Sequence, residues 1–224
     1  MEVLRMTAAC EPLAGALVLE LGAGTGRHTA VMAGRGAAIV AVDFSITSLE
    51  KMAQRAEAEW DVGLVHADCT RLAPAPGSFD LVVSTLISNL PTPQHRAATM
   101  QVAAEACKTA GRFVFGTHHY GVRARLHGEA KSGLYDGAPI YRYMFDRREI
   151  ELETRRFFDD ISCTPIQIMF PLAQRLHLPV VKLSRVAERL PLVNQLAALL
   201  LITARAPTHA RSTPAHVTNA ERVY

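Results

Sequence analysis

The residues of this 224-residue chain with the most chemical content are Glu20, the glycines Gly22, Gly24 and Gly26, and Asp43. The first four belong to the run Val18-Leu-Glu-Leu-Gly-Ala-Gly-Thr-Gly26, and Asp43 closes the next apolar run. Residues without a Cβ let the backbone bend sharply and approach a ligand, and a helix following such a turn offers it unpaired N–H groups. A carboxylate at the end of the second strand can accept hydrogen bonds from both hydroxyls of a ribose. Strand, glycine turn, helix and a second strand ending in an acid is how an open α/β sheet holds an adenosine-containing cofactor. The chain is therefore expected to bind a nucleoside.

Details around the turn narrow the choice. A dinucleotide fingerprint reads G-x-G-x-x-G with pyrophosphate on the helix N-terminus, whereas these glycines fall at i, i+2 and i+4. Glu20, two residues before the first glycine, would repel a pyrophosphate and attract an ammonium group. On the motif Glu20-Leu-Gly-Ala-Gly-Thr-Gly26, the chain resembles the class I S-adenosylmethionine-dependent methyltransferases. The resemblance implies that the turn, with Gly22, Ala23, Gly24 and Gly26, lies against the methionine part of that cofactor and that Glu20 serves its amino group. It also implies Asp43 and Phe44 at the nucleoside, and S-adenosylhomocysteine as product.

The resemblance continues through His66-Ala-Asp68-Cys69 and Phe79-Asp-Leu-Val, and covers roughly residues 17–118. It places Asp68 and the backbone of Cys69 at the adenine, and Ser84 beside the cofactor at the end of the fourth strand. Asp80, at that strand's start, reads as structural. Each acid taken singly also reads as an ordinary solvated loop carboxylate, as the turn alone reads as a bend in another doubly wound protein.

The implied reaction is displacement at the sulfonium methyl carbon by an oxygen, nitrogen or carbon nucleophile of a small molecule. Alignment of the nucleophile can supply on the order of 7–11 kcal/mol, and a positioned base about 10²–10⁴-fold. His118 and His119, after the fifth strand, are the candidate bases, since neutral imidazoles accept protons near pH 7. Being adjacent on an extended segment they point to opposite faces, so one at most faces the cleft. Both also read as hydrogen-bond bridges between strand and loop. His28, on the first turn of the helix after the glycine loop, stands where it can approach the methionine end of the cofactor or the acceptor, or simply cover the helix surface. The acceptor pocket is expected from residues 119–144, from the loop 86–91 with Asn89, and from the stretch before the last strand. In it Tyr120, Tyr135, Tyr141 and Tyr143 offer aromatic walls with polar tips. Tyr141 and Tyr143 equally suit a short strand.

These residues need a frame. Apolar runs alternating with helical patterns predict a single doubly wound, Rossmann-like α/β domain, its sheet seven-stranded and mostly parallel with the last strand antiparallel. Strands are expected over 16–21, 38–42, 63–66, 79–84, 112–117, 161–170 and 196–204. Helices are expected over 26–34, 46–59, 93–109, 147–157 and 172–190, with Ser45 and Thr92-Pro93 as caps and Gly111 ending a helix. The domain is expected to run over 1–206, with an acceptor-binding insertion at about 119–144 and a disordered tail over 207–224.

Composition limits the function classes. A hydrophobic content of 49% suits one buried core, and 24 Lys and Arg against 21 Asp and Glu, scattered along the chain, give no footprint for nucleic acid. Ser88-Asn89-Leu90-Pro91 loosely resembles the Asn-Pro-Pro-aromatic motif of methyltransferases acting on nucleic-acid bases, without its middle proline or its aromatic residue. Cys10, Cys69, Cys107 and Cys163 lie far apart, which argues for reduced thiols in a cytoplasmic protein and against a zinc or other metal site. No run reaches the roughly 18 apolar residues of a membrane span. About fifteen residues precede the first strand, where related enzymes carry closing helices. Closure then falls to one short helix from Val3, to a homodimer partner, or to a segment outside this sequence. The readings from other classes are a nicotinamide-dependent oxidoreductase and a cofactor-binding protein without catalysis.

Overall fold

The computed structural model describes residues 2–57, 59–135, 139–168, 184, 186–188, 190 and 193–208. In chain order the helices are α1 (Glu2–Cys10), α2 (Arg27–Ala33), α3 (Ile46–Ala53), α4 (Pro93–Ala106), α5 (Val122–Leu126) and α6 (Arg147–Thr154). The strands are β1 (Leu17–Leu21), β2 (Ala38–Asp43), β3 (Val62–His66), β4 (Phe79–Ser84), β5 (Cys107–His119), β6 (Ser132–Leu134), β7 (Tyr141–Phe145), β8 (Phe158–Ile168) and β9 (Ala197–Pro207).

The seven expected strands are present and form one sheet in the order β3-β2-β1-β4-β5-β9-β8. The first five are parallel, and β9 enters antiparallel to both β5 and β8. Alternation along the strands splits the core into two layers. Leu19, Leu21, Val82, Phe113 and Phe115 pack under Met100 of α4 and Ile150 of α6. Val18, Ile39, Val83 and Val114 pack under Met6 of α1, Met32 of α2 and Met52 of α3. Sheet faces covered on both sides explain why these strands read as nearly continuous apolar runs.

The caps follow the side chains. Ser45 Oγ accepts from the Ser48 amide at the start of α3, and Thr92 Oγ1 accepts from the His95 amide ahead of Pro93 in α4. Three expectations need correction. Gly111 ends no helix: α4 stops at Ala106, and Gly111 lies inside β5 where the pairing with β4 jumps from Phe79↔Cys107 to Leu81↔Arg112. A Cβ there would sit 3.0 Å from the carbonyls of Phe79 and Lys108, so the irregularity needs a bare backbone. Helix α3 stops at Ala53 rather than 59, and residues 54–57 that follow it are exposed. The third correction is the pair β6 and β7, an antiparallel hairpin within 119–144, with the short helix α5 before it.

That hairpin matters for the site. Strand β4 pairs with β5 only as far as Ser84↔Phe115, and β7 takes the edge that β4 leaves free, at His118↔Met144 and His119↔Phe145. Strand β9 runs along the opposite edge. The expected helix over 172–190 lies largely outside the described residues, and so does the expected tail, except that β9 continues to Pro207. Among the described residues no helix is long and apolar enough to cross a membrane.

Candidate active site

The glycine turn follows directly from backbone conformation. Gly22, Gly24 and Gly26 have φ of 76°, 57° and 84°, the left-handed region that side chains disfavour. Space adds to this. A Cβ on Gly22 would meet the Leu86 side chain at 2.3 Å and one on Gly26 would meet Met52 at 2.5 Å, whereas one on Gly24 would meet nothing within 4 Å. Gly24 faces open space, and that space is a cavity.

Asp43 ties the turn to the end of β2. Its Oδ2 accepts from the Gly24 amide at 2.7 Å and its Oδ1 from the Ser45 amide at 2.8 Å. The carboxylate is only 7% exposed yet lines the cavity, and a carboxylate oxygen has room for more than one donor. Glu20 lies beneath the turn, 3% exposed, accepting from Thr29 Oγ1 of α2 at 2.6 Å. Burial raises its pKa to about 7, against the lowering by the Thr29 hydrogen bond, and the charge of Asp43 adds to the rise.

The cavity has a volume of about 910 Å³. From the sequence-selected set it is lined by Gly22, Gly24, Asp43, Phe44, Asp68, Cys69, Asn89 and Tyr141. Asp68 is exposed, its Oδ1 accepting from both the amide and the hydroxyl of Thr70, which holds its carboxyl below the usual range. The Cys69 thiol is buried and pushed up to about 12, so it stays protonated. Ala23, Gly26, Glu20 and Ser84 support the turn and the strand ends without lining the cavity. Ser84 is fully buried, and its Oγ accepts from the Leu86 amide at 3.3 Å. Thr70, His95, Pro139 and Ile140 also line the wall and were not singled out in the sequence. His95 had a signal, since it follows the cap Thr92 by three residues and must stand on the first turn of α4, at the carboxyl ends of the strands.

The histidines fall elsewhere. His118 and His119 do not line the cavity, and they point apart as alternation requires. His119 Nδ1 bonds the carbonyl of Ala197 at the start of β9. His118 Nε2 bonds the Tyr135 hydroxyl beyond β6, and its amide donates to Ser88 Oγ at 2.8 Å. Burial, with Arg142 nearby, lowers His118 to about 4, and burial lowers His119 too. His28 is 5% exposed on α2, also lowered to about 4 by burial, and its Nε2 finds no partner among the described residues. Tyr120 lies under the cations of Arg125 and Lys131 rather than on the cavity. Asp80 accepts from the Leu17 amide and from Lys108, a structural post at the opposite end of the sheet.

A left-handed glycine turn, a buried acid closing β2 and an acid after β3 lie together on one cavity at the carboxyl ends of parallel strands, where open α/β sheets bind their ligands. Residues 18–111 match a family model described as a methyltransferase domain. A demethylmenaquinone methyltransferase of Clavibacter sepedonicus is 45% identical over 76 residues, which are 34% of this chain and 31% of that relative. The chain spans about a third of the length of the curated relatives it matches. An S-adenosylmethionine-dependent methyltransferase from Mesorhizobium loti superposes with a TM-score of 0.64 at 18% identity, covering 90% of this chain and 95% of that one. The Burkholderia thailandensis 1,6-didemethyltoxoflavin-N1-methyltransferase, solved with its acceptor and S-adenosylhomocysteine, gives 0.56 at 20% identity, covering 92% and 81%. Residues 18–111 thus resemble a methyltransferase domain, and the chain shares the fold of these S-adenosylmethionine-dependent methyltransferase structures.

The residues present suit that cofactor. A backbone turn open at Gly24 leaves room for the close approach of an amino-acid moiety. A buried carboxylate at Asp43 suits a ribose diol, and Glu20 suits a nearby ammonium.

Proposed function

We propose that this chain transfers a methyl group from S-adenosylmethionine to a small-molecule acceptor. The observation that carries this reading is the convergence of Gly24, Asp43, Phe44, Asp68 and Cys69 on one cavity. In this reading Asp43 accepts the two ribose hydroxyls while keeping the Gly24 and Ser45 amides, so that ligand and turn share one charge. Asp68 and Cys69 meet the adenine edge. Glu20, ionised, takes the ammonium of the methionine end. When bound, the cofactor supplies an electrophilic methyl carbon on a sulfonium with a neutral leaving group. The chain's part is to hold the acceptor in line and to keep water away. His118 is a weak base at about 4, so its contribution is the fixed hydrogen bond to Tyr135 more than proton removal.

The names of the relatives, a demethylmenaquinone enzyme and a didemethyltoxoflavin enzyme, support ring-bearing small molecules as acceptors. Four buried free thiols suit a reducing, cytoplasmic setting. The nicotinamide reading is disfavoured by Glu20, whose buried carboxylate beneath the turn would face a pyrophosphate. Incubation with S-adenosylmethionine and a panel of quinols, phenols and ring nitrogens, read as S-adenosylhomocysteine formed, tests the activity. Tight binding of S-adenosylhomocysteine without turnover on any acceptor would favour the non-catalytic reading.

A further inference from the structure

One cavity joins two parts of the chain that lie almost a hundred residues apart. Phe44, just after β2, and Pro139 and Ile140, just before β7, line it together. Phe44 is 79% exposed and Ile140 is 51% exposed. Large apolar side chains turned to water on one opening mark a surface that a ligand covers. The groups that line the cavity with Phe44, Asp43 and Asp68 with Cys69, are those a nucleoside site would need. A purine has two flat apolar faces and a polar edge, so apolar side chains suit its faces while the acidic and backbone groups suit its edge and sugar.

The hairpin is positioned for this by a small number of bonds. Asn89 Nδ2, in the 3-10 turn Ile87–Asn89 after β4, donates to the Tyr141 carbonyl at 2.8 Å. The Tyr135 amide donates to the Ile140 carbonyl at 2.9 Å, and the Tyr135 hydroxyl bonds His118. Among the described residues, the cations Lys131 and Arg142 at the hairpin are paired outside the cavity, Lys131 with Asp146 and Glu149 and Arg142 with Glu129. What Pro139 and Ile140 offer the cavity is therefore apolar surface. This end of the segment 119–144, expected at the acceptor, lines the same cavity as Asp43, Asp68 and Cys69.

We propose that the β6–β7 hairpin is a cofactor-binding element: Pro139 and Ile140 close with Phe44 over the purine of S-adenosylmethionine, and Asn89 is the positioning residue that pins the hairpin there. This rests on the methyltransferase reading above. Calorimetric titration with S-adenosylhomocysteine and with adenosine, on the wild type, Ile140→Asp, Ile140→Ser, Asn89→Ala and Asp43→Ala, tests it. Thermal melts show which variants fold. The expected result is a loss of about tenfold or more for both ligands in Ile140→Asp, a smaller loss in Ile140→Ser, and about three- to tenfold in Asn89→Ala. Amide exchange over 141–145 in the ligand complex should also be faster in Asn89→Ala than in the wild type. If the hairpin variants bind both ligands within twofold of the wild type while Asp43→Ala binds weakly, the hairpin belongs elsewhere and the nucleoside site stands. If the wild type binds neither ligand, the methyltransferase reading falls and this proposal falls with it.

Discussion

Asp43 carries the heaviest demand of any single residue, because its two oxygens already fix the Gly24 and Ser45 amides before a ligand arrives. Charge-assisted hydrogen bonds are worth roughly 1.5–3 kcal/mol each, so loss of even one of the two ribose bonds in Asp43→Ala should weaken S-adenosylhomocysteine binding by at least roughly 10- to 100-fold in a calorimetric titration. Glu20 is the residue with the clearest dependence on pH. Folding raises it from 4.5 to about 7, so between those values the folded chain holds a proton that the unfolded chain has released. Its contribution to stability therefore falls as pH rises through that window and reaches its full cost, about 3 kcal/mol, above it. Denaturant unfolding of Glu20→Gln should show a variant more stable than the wild type at pH 8 and little different near pH 4.5. An ammonium ligand reverses the preference, so S-adenosylhomocysteine binding near pH 6.5 should release a proton, visible as a binding heat that changes with the buffer's ionisation enthalpy. Of the residues on the site, Asp43 and Asp68 were legible because strand ends in an open α/β sheet are legible. Ile140 was not, because its role depends on a hairpin whose register no local pattern specifies.

The glycine turn separates strain from function at the scale of an element. Gly22→Ala combines a left-handed residue, roughly 1–2 kcal/mol, with a Cβ at 2.3 Å from Leu86. Gly24→Ala carries the backbone cost alone, since its Cβ enters open space. Thermal unfolding should place Gly22→Ala well below Gly24→Ala, while Gly24→Ala should still lose most S-adenosylhomocysteine affinity if, as proposed, the ligand takes that open space. Helices α4 and α6 are joined by Arg96, 2% exposed, whose guanidinium bonds both oxygens of Glu153 and stacks on Tyr143 and Phe145. Removing the acid leaves that cation buried, which in comparable cases costs about 3–5 kcal/mol. Glu153→Ala should cost somewhat less than that, Glu153 being 22% exposed, and denaturant unfolding measures it. The Arg96 contacts were not readable in advance, because Arg96 lies far in the chain from Tyr143, Phe145 and Glu153, and it meets the two rings only because β7 takes the edge that β4 leaves free. The inner strands β1, β2 and β4 of the parallel core were readable, since burial on both faces makes them apolar runs; the polar, aromatic β7 gave only the alternation of Tyr141 and Tyr143, which a pocket wall shares.

At the scale of the whole molecule, acid should destabilise this fold through its histidines. His28 and His118 are lowered from 6.5 to about 4, so between those values the unfolded chain binds protons that the folded chain refuses, and stability falls as pH falls through the window. Glu20 acts in the opposite sense over much of the same range, so Glu20→Gln should steepen the acid limb of the unfolding profile. The account as a whole turns on the nucleoside of S-adenosylmethionine occupying the 910 Å³ cavity with Asp43 on its ribose. Calorimetric titration of the wild type with S-adenosylhomocysteine and with NADH, repeated on Asp43→Ala, tests that most directly. The account predicts binding of the first alone and its marked weakening in the variant; preference for NADH, or equal affinity in the variant, would contradict it.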